Sequence, residues 1–474
     1  MKLFLIGLAH MVQEQVDVAR ALKKNHQIQY WVRMTNHFAI DEKKFPGTVF
    51  HEYLDALKGV PAHGIDANKY EPWSRKDILA YADIESEFMS MADKLYPDWP
   101  VNRRKELYYD MLRYWGGVLA QYAPDAIILL SVPHGMYDFV LYRIARRRGI
   151  RTLILDDTLM DTERFVVIED YTKGNVLLAT AAVSKSGLTL DKLSPEMREY
   201  YLTMTRSKNP SPPLMKTFFE THTPLHNLRR LLRVSIAFIK DGTIVERAVM
   251  KLFKLMKRNL LDEHRQYQRE ADFKKPYVYF PLQYQPELTT SPLGGVFVDQ
   301  LLAVKIISAA LPDGWELYVK EHPAQVGVHG GNETTGRWRG FYKTIAEIPR
   351  VRLVPINTNT FALGDNAKAT ATMTGTAAWE SILRGKPALV FGYPWFQHAP
   401  GILRVESVEE CRRAFEKIKS GFKPEESEII RYLSVLDEVS HKGSLYYIKT
   451  QVTDWKIMHR AIEDALVSFS TQSR

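Results

Sequence analysis

Apolar and polar positions along this chain follow two alternating rhythms. Solid apolar runs, LFLIG (3–7), IQYWVRM (28–34), DAIILLS (125–131) and RTLILDD (151–157), have the length and composition of buried strands. Between them, apolar positions recur three and four apart over 12–24, 102–121 and 136–149, the period of a helix with one buried face. Strand, short loop, helix, glycine, strand is the order of a parallel βαβ sheet. A Tyr-, Trp- and Pro-rich stretch over 36–100 is less regular.

Residues 190–275 break the alternation, with a proline-rich stretch at 210–213 and basic helical segments near 224–240 and 243–271. From 276 it resumes. YVYFPL, WELYVKE, VRLVP, KATATM and PALVFG read as strands, FVDQLLAVKIISAAL, TFALGD and AAWESILRG as helices, and TDWKIMHRAIEDALVSF as a closing helix. The expected architecture is α/β, with two Rossmann-like parallel-sheet domains facing a cleft. Residues 1–190 form the first domain, 191–275 a helical basic insert, and 276–474 the second.

A chain of 474 residues fits two such cores. Its single cysteine, Cys411, excludes an intrachain disulfide and points to a reducing compartment. MKLFLIGLA reads as a first strand rather than a secretory leader, and no run approaches the ~20 apolar residues that cross a bilayer. The expected location is the cytoplasm. The net charge of +9 is concentrated, because residues 225–275 hold 13 Lys/Arg against 6 Asp/Glu, a local excess of +7. Within 243–258, Val245, Val249, Leu252 and Met256 share one helical face, and Arg247, Lys251, Lys254 and Arg258 another. Such a helix either lies on the anionic inner face of a membrane or packs between domains with its basic face in water. No nucleic-acid-binding motif accompanies the basic charge, so nucleic acid is not expected as a partner.

In parallel sheets ligands gather beyond the carboxyl ends of the strands. Gln283 and Glu287 follow one strand, Lys320, Glu321, His322 and Pro323 end another, and Thr374, Gly375 and Thr376 separate KATATM from its helix. A glycine and two hydroxyls at a helix start suit a phosphate, because helix N-termini carry unpaired N–H groups and partial positive charge. Lys320 or His322 would add a cation or donor. Glu380, one turn into the helix, would accept from a sugar hydroxyl. Thr376 as a plain N-cap and Gly375 as a tight turn is the bland alternative, and the functional reading rests on several such groups ending strands of one domain. In the first half, Asp156 and Asp157 end one strand, His134 follows another and His10 the first. No P-loop, GxGxxG, HExxH or GxSxG motif is present, and metal-ligand spacings are absent.

FPLQYQPELTT, VKEHP and MTGTAAWESILRGKPALVFG together resemble the capsule polysaccharide biosynthesis family, which includes the bacterial capsule β-Kdo transferases. The resemblance spans about 277–402 and implies a GT-B glycosyltransferase. It implies His322 on the donor phosphate, Thr374 and Thr376 on the nucleotide, and an acid of the N-terminal domain as base. The match to that acid is Asp157 or Asp156, with Asp157 chosen as the residue projecting further from the sheet edge; Thr158 stands where the family's motif has glycine. It implies inverting transfer from a nucleotide-sugar, usually CMP-linked, to a glycan or glycolipid acceptor, with no metal and no further cofactor. A CDP-polyol phosphotransferase and a non-catalytic assembly protein are the competing readings.

Overall fold

In this computed structural model the described residues are 1–8, 13–34, 40–160, 162–183, 188–206, 259–285, 290–329, 331–334, 336–443, 445 and 454–468. The first sheet contains β1 (Lys2–Ile6), β2 (Gln27–Arg33), β3 (Val49–Glu52), β4 (Ala126–Leu129), β5 (Arg151–Asp157) and β6 (Arg164–Ile168). The second contains β7 (Tyr277–Pro281), β8 (Glu316–Lys320), β9 (Val351–Val354), β10 (Ala369–Thr372), β11 (Ala388–Val390) and β12 (Ile402–Arg404). A short β13 (His441–Lys442) returns to the first sheet, whose order is β13-β6-β5-β4-β1-β2-β3, while the second runs β12-β11-β10-β7-β8-β9.

Both sheets are doubly wound. The apolar runs are buried on both faces, as parallel strands covered by helices require. In each sheet the first strand pairs in parallel with the second and with the fourth, so the winding reverses between β1 and β4 and between β7 and β10. Those reversals open crevices at the carboxyl ends. The residues that reach them are Gly7 and the Ser131–His134 loop in the first sheet, and Gln283 and Thr374–Thr376 in the second.

The expected division of the chain changes at its end. The helix Trp455–Ser468 packs on the first sheet's core, where Met458, Ala461, Ile462 and Leu466 meet Val16, Ala19 and Leu22. The His26 ring reaches Glu463 at 3.1 Å. The closing part of the expected 276–474 domain therefore belongs with the first sheet. Two antiparallel strands also escape a period-based reading, because β6 folds back on β5 and β13 pairs with β6 across some 270 residues.

The two sheets share a core at one end. Trp379, Trp395, Phe396, Tyr432 and Leu433 lie in one buried cluster with Met197, Tyr200 and Met204 of the helix Pro195–Arg206. Trp379 Nε1 donates to Tyr200 Oη at 2.8 Å inside it. Of the expected basic insert, Pro195–Arg206 and Leu260–Tyr267 are helices, whereas 207–258, which carries the whole of the basic excess counted over 225–275, lies outside the described residues.

Candidate active site

The KEHP turn splits its side chains between two faces of β8. Lys320 alternates with Tyr318 on one face, and Glu321 points to the other, against Arg337 and Tyr342. Glu321 is fully buried. Its Oε2 accepts from Arg337 Nε at 2.5 Å and from Tyr342 Oη at 2.8 Å, and its Oε1 from Arg337 Nη2 at 3.0 Å and the His322 N–H at 2.7 Å. Burial favours the protonated acid, but the Arg337 guanidinium and these donors outweigh it and hold the carboxyl below its usual range. Arg337 also donates to Gln285 Oε1 at 2.9 Å and to the Gln283 carbonyl at 3.2 Å. Glu321 thus ties three loops together rather than facing the open crevice, and Arg337 is the residue that sequence reading missed.

Lys320 is 3% exposed and makes no hydrogen bond or ion pair with the described residues. Burial lowers its ammonium to about 8, with Glu321 opposing the shift. A buried, unpaired cation is costly unless an anion completes it.

His322 stands half-buried before the short helix Pro323–His329, in which Pro323 takes the first position that its ring favours. The Ala324 N–H donates to His322 Nδ1 at 3.2 Å, so the neutral ring carries its proton on Nε2. Burial lowers this imidazole to about 4; Glu321 opposes, and Lys320 and Arg337 add to the lowering. At neutral pH His322 is an uncharged donor through Nε2.

The MTGT turn lies beside this edge. Gln283 Nε2 donates to Thr374 Oγ1 at 3.2 Å, joining the ends of β7 and β10, while Gln283 Oε1 is buried with no donor among the described residues. Gly375 has φ −66°, which any residue adopts, so its glycine is not there for an unusual backbone. A Cβ would instead meet Thr372 Oγ1 at 2.9 Å and Gln283 Nε2 at 3.1 Å, so close packing requires it. The Gly375 N–H is already taken by Thr372 Oγ1 at 3.2 Å. Gly375, not Thr376, is the N-cap of the helix Thr376–Leu383, and no side chain caps that helix. Thr376 Oγ1 turns inward to Glu380 Oε1 at 3.3 Å. Glu287 and His10 lie outside the described residues.

Across the molecule, Asp156 and Asp157 point to opposite sides of β5, as successive strand residues must. Asp157 is the more buried, at 6% exposure, and its Oδ1 accepts from the Leu159 N–H at 2.8 Å. Asp156 is half-buried and makes no hydrogen bond or ion pair with the described residues; burial, then Asp157, pushes its carboxyl up to about 7. The expectation that Asp157 projects further is reversed, because alternation along the strand turns it into the sheet. His134 Nδ1 donates to the Val132 carbonyl at 2.8 Å, which leaves a lone pair on Nε2.

His134 also lines the space between the two halves. A cavity of about 310 Å³ lies among His134 and the helix Ala82–Leu95 on one side, and Gln285, Asp299 and Trp338 on the other. Among the described residues no group of His, Cys, Asp or Glu is placed to hold a metal ion, and no helix is long and apolar enough to cross a membrane.

These features define an α/β protein of two doubly wound sheets with polar residues following its strands. Residues 212–422 match the sequence model of the capsule polysaccharide biosynthesis protein family, so the resemblance carried by KEHP and MTGT is borne out there. Among solved structures, the chain is similar to the β-Kdo 2,4 transferase of Thermosulfurimonas dismutans KpsC, at 12% identity and TM-score 0.33, covering 71% of this chain and 87% of that one. It is similar to the β-Kdo 2,7 transferase of the same KpsC at 10% identity and TM-score 0.30, covering 79% and 95%. It is similar to the UDP-GlcNAc 2-epimerase of Methanocaldococcus jannaschii at 12% identity and TM-score 0.24, covering 93% and 99%. No curated protein matches the chain.

Proposed function

We propose that this chain is a glycosyltransferase that moves a sugar from a nucleotide-sugar to a glycan or glycolipid acceptor of a capsule or cell surface. The observation that carries the reading is Lys320, a buried ammonium with no hydrogen-bonded or ion-paired anion among the described residues, at the strand end that also presents His322. A donor phosphate would complete it, with His322 Nε2–H and the uncapped start of Thr376–Leu383 as further donors. Such donors stabilise the charge that builds on the departing phosphate. The family match over 212–422 supports a capsule polysaccharide as the product, and the reading takes a CMP-linked sugar of the Kdo type as donor.

The reading assigns Asp156, whose carboxyl burial and then Asp157 push up to about 7, to take the acceptor's proton. A single displacement inverts the anomeric centre, and NMR of the product reads the configuration directly. The basic excess over 225–275 supports docking on an anionic membrane near a lipid-linked acceptor. Flotation that ignores both anionic lipid and the charges of Arg247, Lys251, Lys254 and Arg258 sinks that part.

Thermal-shift titration with CMP, CDP, UDP and GDP tests the whole. The expected result is a shift with CMP that is lost in Lys320→Met. A preference for CDP would favour polyol-phosphate transfer, and no response to any nucleotide would end the glycosyltransferase reading.

A further inference from the structure

A carboxylate remote in sequence holds the helix that backs the KEHP turn. The helix Phe341–Glu347 starts after Gly340, which sits at φ +96° and has no side chain to cap the free N–H groups. Glu263, on the helix Leu260–Tyr267, supplies the cap instead. Its Oε2 accepts from the Gly340 N–H at 2.8 Å, and its Oε1 from the Tyr342 N–H at 3.0 Å and the Lys343 N–H at 3.3 Å. The carboxylate thus lies at the positive end of that helix. The segment around Glu263 is tied down on both sides. Ahead of it the Leu260 N–H donates to the Gly331 carbonyl at 2.9 Å, and behind it the Arg269 N–H donates to the Leu353 carbonyl at 2.8 Å.

The link continues to His322. His264, next to Glu263, is 1% exposed and meets the Tyr342 ring edge-on, with centroids 4.9 Å apart at 83°. Burial lowers this imidazole to about 4, so at neutral pH it is an uncharged packing surface. Tyr342 is thereby fixed at its backbone and at its ring, and its Oη donates to Glu321 Oε2 at 2.8 Å. The other oxygen of Glu321 accepts the His322 N–H at 2.7 Å. The shape of that turn decides the state of the His322 ring, because the Ala324 N–H must reach Nδ1. The groups facing the ring are Lys320, Glu321, Arg337 and Tyr284, whose ring centroid is 6.2 Å away.

We infer that the segment 259–269 braces the site, with Glu263 and Tyr342 as positioning residues that hold the His322 ring in its Nε2–H form. Neither acts on a ligand itself. The oxygens of Glu263 are spent on backbone donors, and Tyr342, 2% exposed, spends its hydroxyl proton on Glu321. The service of His322 to a phosphate rests on the glycosyltransferase reading; the holding of its ring does not.

The test reads the histidine rings of the full chain by heteronuclear NMR, with His322→Ala identifying the signals of that ring. In the wild type His322 should show a protonated Nε2 and a bare Nδ1 from about pH 5.5 to 8. Tyr342→Phe keeps the ring against His264 and removes only the hydroxyl. Glu263→Ala removes the cap, and Glu263→Gln restores part of it because an amide oxygen still accepts. In Tyr342→Phe and Glu263→Ala the His322 ring should become a mixture of tautomers and titrate nearer the ~6.5 of a free imidazole. Glu263→Gln should lie closer to the wild type. Ser308→Ala controls for lost stability, since it breaks a 2.6 Å bond to the Pro349 carbonyl ahead of β9, and should leave the ring unchanged. The inference is overturned if either Tyr342→Phe or Glu263→Ala keeps the wild-type His322 signals, or if Ser308→Ala changes them equally. CMP titrated into the same samples separates this from the transferase reading. A ring that responds to both variants in a protein that binds no nucleotide keeps the brace and loses the transferase; nucleotide binding with an unresponsive ring does the reverse.

Discussion

His322 and His134 are held in opposite tautomers. The Ala324 N–H donates to Nδ1 of His322, whereas Nδ1 of His134 donates to the Val132 carbonyl. One ring therefore presents an N–H to its surroundings and the other a lone pair. The neutral rings thus differ in what they can offer, one a donor and the other an acceptor.

His322→Ala removes the donor and should lower turnover by about 10²–10³, the usual cost of one transition-state donor. Burial holds the ring near 4, so its contribution should be flat from about pH 5 to 8. His322→Gln retains an N–H donor and should recover part of the loss. Steady-state rates of donor consumption check both, and wild-type turnover in His322→Ala would remove this residue from the site.

Lys320 gives the opposite pH dependence. Its ammonium is lowered to about 8 in the free protein, so a growing fraction is neutral as pH rises through 8. Nucleotide affinity should fall over pH 8 to 9.5, because binding an anion then requires taking up a proton. Lys320→Arg remains charged and should abolish the slope, and Lys320→Met should cost about ten- to a hundredfold in affinity at pH 7. Titration calorimetry across that range decides, and a wild-type profile as flat as that of Lys320→Arg would exclude the lysine from the phosphate.

The strand ends of the second sheet were legible because their chemistry is local. KEHP and MTGT each carry their polar groups within four residues of an apolar run, and the structure places both at carboxyl ends. Arg337 was not legible. It lies in the irregular TTGRWRGF stretch, 16 residues beyond Glu321, and acquires its role only when tertiary folding buries both charges. The same limit hid β6 and β13, whose pairing is antiparallel and, for β13, remote in sequence. The two aspartates show a subtler case. Sequence placed both at a strand end, but chain order does not say which side of the sheet is buried; alternation gave the buried side to Asp157.

Breaking the Glu321–Arg337 pair should destabilise the second domain more than it damages any ligand contact. Arg337→Met leaves Glu321, at 0% exposure, as a buried charge without its main partner, and should cost about 3–5 kcal/mol in urea unfolding. Adding Glu321→Gln removes the stranded charge and should restore part of that loss, since the Gln side chain can still accept from Tyr342. A cost below about 1 kcal/mol for Arg337→Met would show that the loops around Gln283 and Gln285 do not depend on it.

The base is decided by a pair of isosteric changes and a pH profile. Asp156 is half-buried with no hydrogen bond or ion pair to the described residues, and its carboxyl is pushed up to about 7 by burial and then by the charge of Asp157. Transfer should therefore fall as pH drops below about 7, where this base takes up a proton. Asp156→Asn keeps the shape but removes the basicity, and should abolish transfer while leaving nucleotide affinity unchanged. Asp157→Asn should behave differently. Its carbonyl oxygen can still accept from the Leu159 N–H, so the β5 turn holds and transfer survives. Removing the Asp157 charge lets Asp156 ionise more readily, so the acid limb of the rate profile should move to lower pH. Rates measured from pH 5 to 8.5 in the wild type and both variants separate the possibilities. Loss of transfer in Asp157→Asn with survival in Asp156→Asn would return the role to Asp157, and survival in both would place the base outside this strand.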